Sequence, residues 1–475
     1  MASLDLRSAT LVFFLSATAC APSTAAVAPS MPVRTEAGQE PREDPTSENE
    51  TSDPASDEGR PDSLEPTNDG PRPAPPIPAP VPPAVPPRKP GATGTKSAAA
   101  PPSATADPLL ERLLGGAGKT LKTVLAEREK YRFQVLYGPV LDKGGVPTLE
   151  RHGYYADAEY FFPASSMKVP LTLASYERLP VLRTAKHPAL DRDATLEIHP
   201  VAGTEAPYAT SLSRETWRAL IVSDNASANR LLAFVGHREA HESLWGLGLS
   251  TARVHTGFAT GREIDPATVS PRIDIVPKDG PKDSLPARKS VLTLPATRAA
   301  RLEVGSAVVV DGRKVPGPMS FAEKNAMSLR DLQDALVRIV RPELLPTKAP
   351  KGQTTHDDLD YLRKTLSTPP SKSGLPGYDR NVVADYQLNP FLRGLERVRS
   401  RDRLEIYVKV GQAYGFLTTN AYVVEKATGK SFFLAATIYA NPNEVLNDDL
   451  YAYDQIAFPA LADVAEAIAT EALSN

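Results

Sequence analysis

The sequence predicts a mixed α+β domain behind a long N-terminal stretch that does not build a core of its own. Strand-like runs lie near residues 131–161 and again near 404–439. Helical periods fill the interval, and residues 21–107 contain no aromatic side chain. Strands at both ends with helices between them are compatible with a layered domain of sheet and helices. The 475 residues carry a formal net charge of −3, with a pI near 6.2. That balance lacks the basic footprint of a nucleic-acid binder, and no nucleic-acid partner is expected.

Residues 8–19 form a short apolar core after Arg7. It is too short to span a bilayer and reads as an export signal over residues 1–19. Ala17-x-Ala19 fits signal cleavage, which leaves Cys20 first. Cys20 is the single cysteine, so no intramolecular disulfide is possible. A lone Cys directly after an export signal resembles a bacterial lipoprotein site. That resemblance predicts a lipid on the Cys20 thiol and a membrane-anchored protein on the periplasmic side, the alternative being plain secretion. Residues 20–107 are first acidic and polar, then rich in Pro and Ala. They bury too little apolar surface to fold, and predict a disordered tether with a semi-rigid Pro-rich half.

The folded domain is expected over 108–475. Leu109 to Leu114 and Leu121 to Leu125 suggest two helices broken around Gly115–Gly118. Gly118-Lys119-Thr120 is not a phosphate loop, because position 113 is Leu where that motif needs Gly. Tyr131–Tyr137 and His152–Phe161 read as strands around the turn Asp142–Gly145. Ser213 is a plausible N-cap for a helix through Ile221. Ala307–Asp311 and Gly312–Val315 form a possible hairpin within residues 266–320, which are Pro-rich and charged and look like an insertion. Ser328-Leu-Arg-Asp331 is a capping box for a helix over Leu329–Val340. Leu404–Val410 alternates as a strand, followed by a hairpin of Thr418–Glu425 and Ser431–Tyr439. Ala457–Leu473 closes the chain as an amphipathic helix.

Three short motifs carry chemistry. Ser165-Ser-Met-Lys168 is the single Ser-x-x-Lys in the chain. On a helix starting at Ser165, positions i and i+3 share a face about 5–6 Å apart, so a lysine amine can reach the serine hydroxyl. A serine nucleophile needs such a base, and a lysine serves when burial or neighbouring positive charge lowers its pKa. A solvated Lys on a capped helix is the plainer reading of this motif alone. Ser223-Asp-Asn225 interrupts two helical stretches, either as an N-cap or as a site loop. Lys409-Val410-Gly411 falls on the C-terminal strand run, where Lys409 faces a cleft unless it is an edge-strand solubilising residue.

The order Ser-x-x-Lys, Ser-Asp-Asn, Lys-x-Gly resembles the serine β-lactamase and penicillin-binding protein superfamily, class A β-lactamases most closely. Phe162, Asn229-Arg-Leu-Leu232 and the run from Lys409 through Gly415 into Asn420-Ala-Tyr-Val-Val424 extend the likeness. It covers residues 108–475 and is weakest between about 256 and 325. The resemblance implies a three-layer αβα sandwich with an antiparallel sheet plus an all-helical part near residues 165–400. It implies Ser165 as acylated nucleophile, Lys168 as base, Ser223 as proton relay to the leaving nitrogen, and Lys409 as charge near the substrate carboxylate. Asn225, Val410, Gly411 and Gln412 would line the substrate, with the backbone N–H groups of Ser165 and Gln412 as oxyanion hole. The ligand class is a β-lactam or a peptidoglycan peptide, acted on by a monomer with no cofactor.

Two departures shape the expected activity. Val410 stands where the family has a hydroxyl that contacts the substrate carboxylate. Lys372-Ser373-Gly374 matches the third motif literally but lies in a Pro-rich loop, so Lys409 is preferred. The family's Glu-x-x-Leu-Asn, whose Glu activates the deacylating water, has no match. Glu263 is nearest by spacing, and Glu303 and Glu323 fit no better. A missing Glu favours a penicillin-binding-protein-like DD-peptidase, and a catalytically silent cell-wall-binding module is the third reading. His237-Arg-Glu-Ala-His241 departs from zinc-protease spacing, reads as a solvated helix face, and no metal is expected. Trp217 and Trp245 are expected in the core.

Overall fold

The computed structural model describes residues 105–185, 187–201, 204–258, 267–277, 282–379 and 384–474. The export signal, the tether, Cys20 and Glu263 lie outside the described residues. Strands β1 (Gln134–Asp142), β2 (Pro147–Leu149), β3 (His152–Tyr154), β4 (Leu404–Ala413), β5 (Phe416–Glu425) and β6 (Ser431–Tyr439) form one antiparallel sheet. Its order is β4-β5-β6-β1-β2, with β3 also on β1. The centre joins the two ends of the domain, with Gln134 opposite Thr437 and Val140 opposite Ser431.

Every residue of β6 is buried, because successive side chains point to opposite faces and both faces are covered. Phe432, Leu434, Ala436 and Ile438 enter a core shared with α1 (Pro108–Gly115), α2 (Lys119–Ala126), α9 (Leu392–Val398) and α10 (Phe458–Ala472). Phe433, Ala435 and Tyr439 enter the other core. That core includes α3 (Lys168–Ala185), α4 (Leu212–Ile221), α5 (Asn225–Val235), α6 (His237–Gly246), α7 (Leu329–Val340) and α8 (His356–Ser367). The result is helix, sheet, helix, with the helical part built on the second face. At Gly394 a Cβ would stand 1.8 Å from the Ala462 carbonyl oxygen, so α9 and α10 meet backbone to backbone.

The 266–320 expectation resolves into short pieces stitched to the domain. Ile273–Val276 pairs with Thr195–Ile198. The expected hairpin is Ala307–Val310 with Arg313–Pro316, and its first strand runs parallel to Val445–Leu446. Ser328 Oγ accepts the Asp331 N–H at 3.0 Å and opens α7, but the expected box does not close, because the Asp331 carboxylate accepts from Thr251 and the Ser328 N–H donates to Thr251 Oγ1.

Some boundaries differ from the sequence reading. The first strand starts at Gln134, after Arg132 at φ 44°. The third ends at Tyr154, because Tyr155 and Asp157 take φ values of 48° and 64°, which break strand pairing. Ser211, not Ser213, caps α4 by accepting the Arg214 N–H. Trp217 and Trp245 are half-buried, and their indole N–H groups donate to the carbonyls of Ser373 and Ala252.

Candidate active site

Ser165 sits in a 3-10 turn, Ala164–Met167, and the α-helix begins only at Lys168. The expected helix start at Ser165 is therefore corrected by three residues. The tight turn is closed at residue 163, whose carbonyl accepts from the Ser166 N–H and Oγ at 3.0 and 2.6 Å. Ala164 is held at φ 46°, a conformation costly for a non-glycine residue. The turn buries Ala164, Ser166 and Met167 and leaves Ser165 half-exposed.

Strand β4 presses on this turn from behind. A Cβ at Gly411 would lie 2.2 Å from the Pro163 oxygen and 2.9 Å from the Ser165 nitrogen. Only glycine permits that approach. It places Gln412, half-exposed, beside Ser165.

Lys168 is fully buried. Its ammonium donates to the Ser223 carbonyl, to Ser223 Oγ at 3.2 Å and to Asn225 Oδ1 at 2.6 Å. The direct bond from Lys168 to Ser165 suggested by i, i+3 spacing is replaced by this bridge to Ser223. Burial first, then repulsion from Lys409, holds the Lys168 pKa well below the usual lysine value, with Asp224 opposing. The solvated-Lys reading is thereby excluded.

Ser223 adopts φ 61° in the short connection between α4 and α5. Both readings of Ser-Asp-Asn apply there. Asp224 caps α5 by accepting the Ser227 N–H at 2.6 Å, while Ser223 and Asn225 turn to Lys168.

Lys409 lies on β4, the edge strand of the sheet. It is nevertheless buried, at 2% exposure, so it does not solubilise the edge. Its ammonium donates to the Val410 carbonyl at 3.1 Å, and burial lowers its pKa to about 7. Val410 is buried in the sheet's outer core and offers no hydroxyl. Lys372–Gly374 lies apart, in a turn whose Ser373 carbonyl receives the Trp217 indole N–H. The lysine close enough to act on Lys168 is Lys409.

One neighbour of Lys168 escaped sequence reasoning. The Phe258 ring centroid lies 5.0 Å from Lys168 Nζ. Its backbone is clamped by Asn229, which accepts the Phe258 N–H at 2.7 Å and donates to its carbonyl at 2.9 Å. Asn229 lies four residues after Asn225, on the same helix face, and that spacing was the available signal. Among the other deacylation candidates, Glu303 lies on a short strand paired with Ser320, and Glu323 is exposed and acts on His255. Among the described residues, the group over Lys168 from the 252–258 side is an aromatic ring.

His237 and His241 are buried, at 2% and 0% exposure, which corrects the solvated-face expectation. His241 Nδ1 donates to the His237 carbonyl, and its Nε2 accepts the Val254 N–H at 3.0 Å. The segment leading to Phe258 covers them. Among the described residues, no three His, Cys, Asp or Glu side chains gather to hold a metal.

Residues 146–468 match the model of the beta-lactamase enzyme family, and the chain belongs to that family. No curated protein sequence matches. Among solved structures, the chain resembles the chromosome-encoded beta-lactamase of Vibrio parahaemolyticus, at 15% identity and a TM-score of 0.42, covering 74% of this chain and 98% of that one. A beta lactamase from Burkholderia vietnamiensis gives 13% identity and a TM-score of 0.42, covering 75% and 97%. A mutant of PBP-A in an acyl-enzyme complex with penicillin G gives 15% and 0.41, covering 75% and 96%.

Proposed function

We propose that this protein is a serine hydrolase that opens a β-lactam or related amide through an acyl-enzyme on Ser165. The observation that carries the reading is the buried, pKa-lowered Lys168 bonded to Ser223 and Asn225 beside a half-exposed serine. Ser165 Oγ attacks the carbonyl carbon and its proton passes to neutral Lys168. From Lys168 a proton moves through Ser223 Oγ to the amide nitrogen as the carbon–nitrogen bond breaks. The backbone N–H groups of Ser165 and Gln412 stabilise the oxyanion. Lys409 supplies the positive charge that draws a substrate carboxylate and holds Ser223 in a positive field.

The second reading is a peptidoglycan DD-peptidase of the penicillin-binding type, and Phe258 favours it. In this reading a ring rather than a base stands over Lys168 among the described residues, and acylation outpaces release. We place the protein outside the cytoplasm, tethered through residues 20–107 and anchored by a lipid on Cys20.

The test incubates the full chain with a reporter cephalosporin and a penicillin while absorbance and intact mass are followed together. Ser165→Ala is the control. Sustained colour without adduct supports a true β-lactamase, and a lasting adduct supports the peptidase reading. Neither colour nor adduct overturns the acyl-enzyme on β-lactams.

A further inference from the structure

The segment that sets Phe258 over Lys168 is pinned from several sides. Arg253 and Ala326 form an antiparallel bridge. The Asn325 side chain accepts the N–H groups of His255 and Thr256 and donates to the Thr256 carbonyl, at 2.8 to 3.0 Å. Asn229 holds the backbone of Phe258. Helix α6 supplies two more anchors, one turn apart. The Trp245 indole N–H donates to the Ala252 carbonyl at 3.0 Å, and His241 Nε2 accepts the Val254 N–H at 3.0 Å. Of the side chains of Asn229, His241, Trp245 and Asn325, only that of His241 titrates near neutral pH.

The two bonds of His241 fix its protonation. Its Nδ1 meets the His237 carbonyl at 2.7 Å, so Nδ1 carries the proton of the neutral ring. Nε2 faces an N–H and is therefore bare. An imidazolium is a donor at both nitrogens, and a second proton would stand between Nε2 and the Val254 nitrogen with nothing to accept it. The ring is fully buried, which leaves the added charge no solvent. The groups facing it give no relief. On α6 there is His237, with ring centroids 4.5 Å apart, and on the covering segment there are Arg253 and His255. The nearby carboxylates act elsewhere: Glu239 on His237, Arg178 and Arg288, Glu323 on His255, and Asp331 on Arg253, which Arg298 also faces. Burial first, then these neighbours, with the His237 carbonyl opposing, lower the His241 pKa to about 4.

We propose that neutral His241 is a positioning residue: it latches residues 254–258 to α6, and a proton on its Nε2 unlatches the segment that carries Phe258 to Lys168. The latch goes beyond the acyl-enzyme reading, and only its effect on acylation rests on that reading. An unlatched histidine titrates near 6.5, and the latched one near 4. The latch is therefore at full strength above about 6.5 and weakens as pH falls towards about 4. A histidine that merely fills space predicts that phenylalanine serves as well.

The test follows hydrogen exchange at residues 254–258 of the full chain at pH 7.5 and 5.5, corrected for the intrinsic pH dependence of exchange. In wild type the segment should open about tenfold more often at pH 5.5. His241→Gln sets a neutral acceptor near the place of Nε2 and should hold opening at the two values within about threefold. His241→Phe fills the space without an acceptor and should open readily at both. On the same proteins, the acylation burst with a reporter cephalosporin should be slower in His241→Phe than in His241→Gln. Three results overturn the latch: wild-type exchange that ignores pH, a His241→Gln protein that keeps the whole slope, or a His241→Phe protein that exchanges like wild type at pH 7.5. Faster exchange in His241→Phe with an unchanged burst overturns the positioning role. Should His241→Phe not fold, the slope lost or kept in His241→Gln decides. If exchange behaves as expected but no protein forms an adduct, the acyl-enzyme reading fails and the latch stands.

Discussion

The Phe258 ring stands 5.0 Å from the Lys168 ammonium, its backbone held by Asn229, which accepts from its N–H and donates to its carbonyl. A cation on an aromatic face is stabilised, but a ring cannot take a proton from water. Among the described residues, the proposed acyl-enzyme therefore meets a ring rather than a base on this side of Lys168.

Phe258→Glu is therefore expected to speed release from the acyl-enzyme by at least about tenfold, since a positioned general base contributes roughly 10²–10⁴-fold. The acylation burst should stay within about threefold of wild type. Burst and steady-state phases on a reporter cephalosporin read both quantities. A variant that acylates normally but releases no faster would show that the ring is not what limits turnover.

Lys409 gives the pH dependence. Its pKa of about 7 means the ammonium is present below that pH and lost above it. Acylation by carboxylate-bearing substrates should fall as pH rises through about 7, while a neutral ester of the same acid should lack that limb. Lys409→Arg keeps its charge and should remove the limb from a stopped-flow pH profile.

The same residue bears on stability with a definite sign. An unfolded lysine titrates near 10.4, so between about 7 and 10.4 the unfolded chain binds more protons than the folded one. Stability should rise with pH across that window, and Lys409→Met should flatten the rise. Denaturant midpoints at pH 7 and 9.5 for the two proteins decide it.

Gly411→Ala puts a methyl carbon against backbone atoms of Pro163, Ser165 and Ser166 that cannot swing away. Overpacking of this kind costs about 1–3 kcal/mol, and the turn that presents Ser165 would shift. Urea denaturation should register the loss, and adduct formation should fall by more than the unfolded fraction explains.

Asn325→Ala removes the partner of three half-buried backbone groups of His255 and Thr256, at about 1 kcal/mol. Faster hydrogen exchange at residues 254–258 should accompany the lower stability. Unchanged exchange there would mean that the bridge to Ala326 and the Asn229 clamp suffice.

Ser165 and Lys168 were legible through a local i, i+3 spacing, while Ser223, Asn225 and Lys409 were legible only through an order of motifs that resembles the family. The fold class was legible through the same likeness, with which strands at both ends of a helical interval are compatible. Phe258 was not, since its contact with Lys168 crosses 90 positions and depends on a clamp from α5. His237 and His241 looked solvated because Arg238, Glu239 and Glu242 surround them in sequence. Later segments bury them, through Val254 on His241 and Ser290 on His237. The edge position of β4 was hidden as well, because an apolar run with one lysine reads the same at the rim as at the centre.

The pairing of β1 with β6 sets the order in which this protein can be made. At roughly 5–20 residues per second, β1 leaves the ribosome on the order of tens of seconds before Ser431–Tyr439 exist to meet it. Contacts this distant in sequence make for slow closure, and meanwhile the β1 edge is an open template for other chains. A chain cut short before Ser431 is thus an aggregation hazard rather than a weaker version of the protein, and yield in the cell depends on how β1 is shielded during that wait.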